Sequence, residues 1–312
     1  MTYSVTLINQ EHMEELQENL KSQKFITAKA DIHGVCVKLY SADRTMVDMW
    51  ERNFHSMSDS VRPHASIILC NDSSCETKIL YEVASHTAFL FNFDYYGWVK
   101  SIGLAVASDI LEDTYGRLSH IHGAAIDTPF GGVTLIAPSK TGKTTHSWGL
   151  LRLNGSRLVT DDWYFVKTGG GYPIAYGSEK NCYIDADIGK VWSEFQPLVD
   201  SSTFDSRGRA IADIRWVAGD ESVIPMTTIK HIILLKRDFD DKNILIEMTP
   251  EDALNYLKLN NLCNPHQLVC NERKLRLRYD FFNEYLKSAK ISMVNTVGDP
   301  EKTQKIIREV IQ

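Results

Sequence analysis

Residues 137–145, Ala-Pro-Ser-Lys-Thr-Gly-Lys-Thr-Thr, fit the phosphate-binding pattern GxxxxGK[ST] at every position except the first, where Ala137 stands in place of glycine. In such a loop the backbone N–H groups and the amino terminus of the following helix hold phosphate oxygens. Lys143 would neutralise the β- and γ-phosphates, and the Thr144 hydroxyl would be offered to Mg²⁺. Ser139, Lys140, Thr141, Gly142, Lys143, Thr144 and Thr145 are therefore the candidate nucleotide-binding residues. The competing reading is a lysine-bearing surface turn between a strand and a helix, and the missing first glycine favours it. Lys140 adds a second cation whose role stays open.

Metal-dependent phosphoryl transfer also needs carboxylates, to share the cation and to accept the proton of an attacking hydroxyl. Asp161 and Asp162 supply them, 18 and 19 residues after Lys143 and just behind the apolar pair Leu158-Val159. They are expected at the carboxyl end of a strand, where open sheets place ligands. Two adjacent like charges repel, which favours either a shared Mg²⁺ or a proton retained by one of the two, and the second outcome makes a usable base. Thr144 and Asp162 are the candidate metal ligands, and either aspartate can be the base. By itself an Asp-Asp pair is an ordinary solvated turn. Its closeness to the loop reverses that reading, because one short helix separates them.

The run 122–162, HGAAIDTPFGGVTLIAPSKTGKTTHSWGLLRLNGSRLVTDD, resembles the catalytic core of HPr kinase/phosphorylase and its relatives, which share a nucleotide-binding core with phosphoenolpyruvate carboxykinases. The likeness rests on His122-Gly123, on the strand and loop, and on Leu158-Val159-Thr160-Asp161-Asp162, and it covers about 40 residues. It implies an α/β (α+β mixed sheet) fold with a P-loop core of the HPr kinase/PEP carboxykinase type and a smaller β-rich N-terminal region. It implies ATP as donor, with GTP as the alternative, and Mg²⁺. One aspartate of the pair is implied to be the general base, with His122 nearby and His120 as its competitor. Residues 212–216, Ala-Asp-Ile-Arg-Trp, look like a degraded form of the family's second signature, so Arg215 is implied to stabilise transferring phosphoryl charge as a planar fork. Arg207 and Arg209 are its rivals. Ala137 and Lys140 replace glycines of the family's loop, and Trp216-Val217 replace a glycine-rich continuation, so HPr itself is not carried over as the acceptor.

The expected activity is an ATP- and Mg-dependent kinase moving a γ-phosphoryl group to a serine-like hydroxyl of a small molecule, a peptide or a protein. The alternative is a nucleotide-binding regulatory or interaction module with little or no turnover. Relatives are often homo-oligomeric, although no coiled coil or interface stripe is readable here.

Elements must hold these residues. Residues 133–136 predict a strand leading into the loop, and Trp148, Leu150, Leu151 and Leu153 supply apolar positions for a helix leaving it. Residues 124–127 and 132–136 bracket a turn at 129–131, and short strands are expected at 157–160 and 163–167. The polar stretch 185–209 reads as an irregular, mobile loop. A strand at 230–236 precedes a helix capped by Thr249, and 299–312 reads as a final capped helix. Upstream, the first 25 residues read as an amphipathic helix carrying Met13, Leu16 and Leu20. Strand-like runs follow at 33–40, 65–69, 77–83 and 87–93, the last two as a hairpin, and then a helix over 98–114 that Gly116 ends. The expected division is a β-rich region over 1–117, suited to binding the acceptor, and a nucleotide-binding domain over 118–312.

Composition excludes several classes. The chain of 312 residues is 43% hydrophobic and 24% charged, within the globular range. Its formal charge of −6 and lack of a Lys/Arg-rich run argue against nucleic-acid or anionic-membrane surfaces. No apolar stretch approaches the roughly 20 residues that cross a bilayer, and the acidic start is unlike a secretory signal, so a cytoplasmic protein is expected. Six cysteines are too sparse for a disulfide scaffold, and their spacing does not suggest a structural zinc.

Overall fold

The computed structural model describes residues 3–115 and 118–312. The chain falls into two compact units, Met1–Thr114 with His266–Asn271, and Tyr115–Pro265 with Glu272–Gln312. Both are mixed α/β structures.

The first unit is built on a seven-stranded mixed sheet. Its elements are β1 (Ser4–Ile8), α1 (Gln10–Asn19), β2 (Ile26–Ile32), β3 (Val35–Ser41), α2 (Arg44–Asn53), β4 (His55–Ser56), β5 (Ala65–Cys70), β6 (Lys78–Glu82), β7 (Thr87–Phe91) and α3 (Tyr96–Tyr115). The strand order is β1-β6-β7-β5-β3-β2-β4, with β3, β5 and β7 parallel and β6-β7 the expected hairpin. The single opening helix is corrected: Ser4–Ile8 is an edge strand parallel to β6, and the helix starts after Asn9, whose side chain accepts the His12 N–H at 3.0 Å. The alternation Val5, Leu7 suits a strand, whereas Met13, Leu16 and Leu20 keep helical spacing and pack on the sheet core. Helix α2 went unread although its signals are local: Asp43 caps it, and Met46, Val47 and Trp50 form its buried face. The expected stop at Gly116 lies outside the described residues.

The second unit holds β8 (Leu118–Thr128), β9 (Gly131–Ile136), α4 (Lys143–Leu151), β10 (Arg157–Thr160), β11 (Trp163–Lys167), β12 (Ile174–Gly177), β13 (Cys182–Asp185), α5 (Asp187–Val191), α6 (Gln196–Asp200), β14 (Arg209–Ala212) and α7 (Arg215–Ala218). It continues with β15 (Met226–Lys236), β16 (Leu245–Glu247), α8 (Pro250–Leu259), α9 (Glu272–Leu286), β17 (Lys290–Asn295) and α10 (Pro300–Val310). The long strands β8 and β15 organise it. Pairing runs from β8 through β11, β12, β15 and β9 back to β8, with β10, β17 and β16 added outside that circuit. Strands β9, β15 and β17 are parallel and end together at Ile136, Lys236 and Asn295.

One expectation fails by packing. The 185–209 stretch contains α5, a 3₁₀ turn and α6, and its Ile188, Trp192, Phe195 and Leu198 are buried beside Trp148 and Leu150 of α4. Polar residues outnumber apolar ones there, so the local pattern reads as loop. Burial of four large side chains outweighs it, at about 1.5–3 kcal/mol each.

Candidate active site

The loop 137–142 leaves β9 where three parallel strands end, the edge at which open sheets expose their loops. Ala137 is fully buried in the core, so its methyl group is packing volume. Two residues carry the reversal. Lys140 has φ +67° and Gly142, directly before α4, has φ +90°. A Cβ at Gly142 would approach His146 Cδ2 to 3.3 Å, so the glycine serves both the turn and the close approach. Thr141 Oγ1 donates to Pro138 O at 2.7 Å, and Thr296, just past β17, donates its hydroxyl to Thr141 O at 2.7 Å and also reaches Lys236 O at 3.1 Å. The loop is thereby stapled across the parallel strands. From the other side, Trp192 Nε1 donates to Thr145 O at 2.7 Å. Ser139 and Lys140 are exposed, while Thr144 and Thr145 are half-buried on the first turn of α4.

The acidic pair does not close a hairpin. Strands β10 and β11 both run antiparallel to β8, with Thr160 opposite Ala125 and Trp163 opposite His122, so Asp161 and Asp162 interrupt one long line beside β8. The pairing shifts register between Leu158 and Thr160, and such irregularities re-aim side chains. Gly123 N–H donates to Asp162 O at 2.8 Å. A Cβ at Gly123 would lie 2.7 Å from Leu135 O and 2.9 Å from Tyr164, so glycine is required where β8, β9 and β11 pass closest.

Three of the candidate side chains converge. Lys143 Nζ lies 2.8 Å from Asp162 Oδ1, 3.4 Å from Asp162 O and 3.1 Å from His122 Nε2, and His122 Nε2 is 3.2 Å from Asp162 Oδ1. All three are largely shielded, with side-chain exposures of 11% for Lys143, 13% for His122 and 29% for Asp162. Their attraction is therefore less screened than at an open surface. Burial and the Lys143 charge hold the His122 pKa below the usual histidine range, against the opposing pull of Asp162. Behind the loop, burial pushes His146 down to about 4, and Arg237 adds to the effect.

The other predicted residues fall elsewhere. His120 is buried, stacks on Trp163 with ring centroids 5.2 Å apart, and meets the Asn264 amide at 2.9 Å, so it packs while His122 faces Lys143. Asp161 is buried and lines a cleft with Glu179, Lys180, Asp213 and Arg215. Arg215 bonds Asp213 at 2.9 Å within that cleft and is not among the groups around Lys143. Arg209 lies 3.4 Å from Asp185, and the Arg207 N–H donates to Asp205 at 2.9 Å. Sequence reading missed Thr296, Trp192 and the Cys263 carbonyl, which lies 2.7 Å from His122 Nδ1. None of these carries a local pattern that points to the loop.

Among the described residues no group of three or more His, Cys, Asp or Glu side chains is arranged to hold a metal ion alone. Magnesium bound with a nucleotide needs only one or two carboxylates beside phosphate oxygens and water, which the hard oxygens of Asp162 and Thr144 fit. Among the described residues no helix is long and apolar enough to cross a membrane. No family model matches the chain, and no curated protein matches it.

Proposed function

We propose that this protein is an ATP- and Mg-dependent kinase with an HPr-kinase-like P-loop core, transferring the γ-phosphoryl group to a serine-like hydroxyl of a small molecule, a peptide or a protein. The observation that carries the reading is the meeting of Lys143, Asp162 and His122 within 3.2 Å of one another beside a loop of phosphate-binding pattern. Cation, carboxylate and imidazole arrive from three separate elements. Phosphoryl transfer asks for the cation and the carboxylate, since its catalysis is mostly positioning and charge neutralisation, and the imidazole here lies against both.

In this reading the 139–142 N–H groups and the start of α4 receive phosphate oxygens, and Lys143 exchanges its Asp162 contact for phosphate. Thr144 and Asp162 would hold Mg²⁺, which neutralises charge on the transferring group. Asp161 or Asp162 takes the acceptor proton. Arg215 serves by closing from its cleft beside Asp161, and GTP is the alternative donor. The β-rich N-terminal unit is assigned to acceptor binding, and homo-oligomerisation and a cytoplasmic location complete the proposal.

Calorimetry of Mg·ATP and Mg·GTP with wild type and Lys143→Ala, followed by ADP release against hydroxyl-bearing metabolites and peptides, tests it. Binding lost in the variant, with acceptor-stimulated ADP release, is the expected result. Equal binding by both proteins refutes the loop assignment. A nucleotide-binding module without turnover is the second reading, favoured by the exposed Lys140 at φ +67°, a cation where the family's loop has glycine. Binding without stimulation by any acceptor would select it.

A further inference from the structure

Asn261, Leu262 and Cys263 hold successive left-handed backbone angles, with φ of 51°, 55° and 54°. Left-handed residues other than glycine normally occur singly, because the Cβ crowds the following carbonyl, and Asn tolerates the conformation better than Leu or Cys. Three in a row are therefore held by their surroundings. Leu262 and Cys263 are buried in the core beside Ile121, Tyr164 and Tyr285. Cys263 N–H donates to Asn260 O at 2.8 Å, and Asn264 N–H donates to Asn261 O at 3.1 Å. Strain of this kind gathers where structure must aim a group.

The group aimed here is a carbonyl. Cys263 O lies 2.7 Å from His122 Nδ1, and the next residue, Asn264, sends its amide to His120 Nε2 at 2.9 Å. One short segment thus fixes both histidines of β8. A carbonyl oxygen only accepts, so His122 Nδ1 carries a proton. In neutral imidazole the second nitrogen is then bare, and Nε2 presents its lone pair to Lys143 Nζ at 3.1 Å. A histidine left free in water prefers the opposite tautomer, which here would place an N–H 3.1 Å from the Lys143 ammonium and 3.2 Å from Asp162 Oδ1, where the carboxylate could accept it. The carbonyl on Nδ1 is what opposes that form.

We propose that the left-handed turn at 261–263 is a positioning element for the active site: the Cys263 carbonyl locks His122 as its Nδ1–H tautomer, so that the Nε2 lone pair and Asp162 together seat the Lys143 ammonium. The catalytic meaning of this lock rests on the kinase reading. The lock itself does not, and its test needs neither nucleotide nor turnover, so the two can fail separately.

Long-range ¹H–¹⁵N spectra of labelled protein in mildly alkaline buffer report the tautomer directly, with His122 assigned by His122→Gln. Wild type should show a protonated Nδ1 and a bare Nε2. Asn261 is exposed, so its replacement leaves the core volume unchanged. Asn261→Gly should keep the wild-type pattern, since glycine adopts positive φ freely. Asn261→Pro cannot adopt it, and should move the tautomer ratio toward Nε2–H by about tenfold, the worth of one net hydrogen bond. A proton on Nε2 in wild type overturns the proposal, as does a folded Asn261→Pro with an unchanged ratio. If circular dichroism shows Asn261→Pro unfolded, the wild-type spectrum decides alone.

Discussion

Acid should weaken this fold through His146. The imidazole is 3% exposed on the first turns of α4, with Nδ1 3.3 Å from Gln304 Oε1, and the backbone N–H of His146 donates to Gly142 O at 2.9 Å. Burial depresses its pKa from 6.5 to about 4, so the unfolded chain takes up this proton first. The stability it contributes is fully present above about pH 6.5 and is lost as pH falls toward 4, where the loss levels off. At about 1.4 kcal/mol per pH unit, the interval amounts to about 3 kcal/mol, a large share of a typical folding free energy. His146→Asn retains an amide near the Nδ1 position and cannot be charged in this range. Its cost in lost ring volume is independent of pH, so the stability difference between wild type and variant should narrow by about 3 kcal/mol between neutral pH and pH 4. Urea unfolding followed by tryptophan fluorescence at a series of pH values measures that difference, and an imidazole C–H titration of wild type locates the pKa. A difference that stays constant across the series, or a His146 that titrates near its ordinary value, would refute the argument.

Three further outcomes are expected. Asp162→Asn keeps the side-chain shape and removes the carboxylate nearest Lys143. If the kinase reading is right, it should lower kcat by about 10²-fold or more in a steady-state assay, whereas full activity in both Asp162→Asn and Asp161→Asn would exclude the pair. Thr296→Val deletes the hydroxyl that serves Thr141 O and Lys236 O and should cost about 1–3 kcal/mol in urea unfolding, with Thr296→Ser restoring most of it. An unchanged midpoint would mean that the staple contributes nothing. Gly142→Ala places a Cβ at φ +90° and 3.3 Å from His146, so a loss of at least about 1 kcal/mol is expected, read as a lower melting temperature. A variant as stable as wild type would show that the turn does not need glycine.

What could be read from the chain alone was local. The loop pattern, the Asp161-Asp162 pair, His122-Gly123 and the apolar runs of β9, β11 and β15 each lie within a few residues, where spacing, turn chemistry and alternation act directly. Contacts between distant segments were not legible. Nothing near Thr296 marks it as the partner of Thr141, 155 residues earlier, and nothing near Cys263 marks its carbonyl as the acceptor for His122, 141 residues away. The helices within 185–209 were hidden for the same reason: their stability comes from burying Trp192 and Phe195 against α4, and local propensity does not record it. Arg215 was also read from a local pattern, and the fold pairs it with Asp213, two residues away, in the cleft that Asp161 lines. Residue types and short spacings thus determined which chemistry was available. Which groups face one another, how His122 carries its proton and what holds the loop were decided by strand register and long-range packing, because those depend on which distant segments share a strand edge or a core.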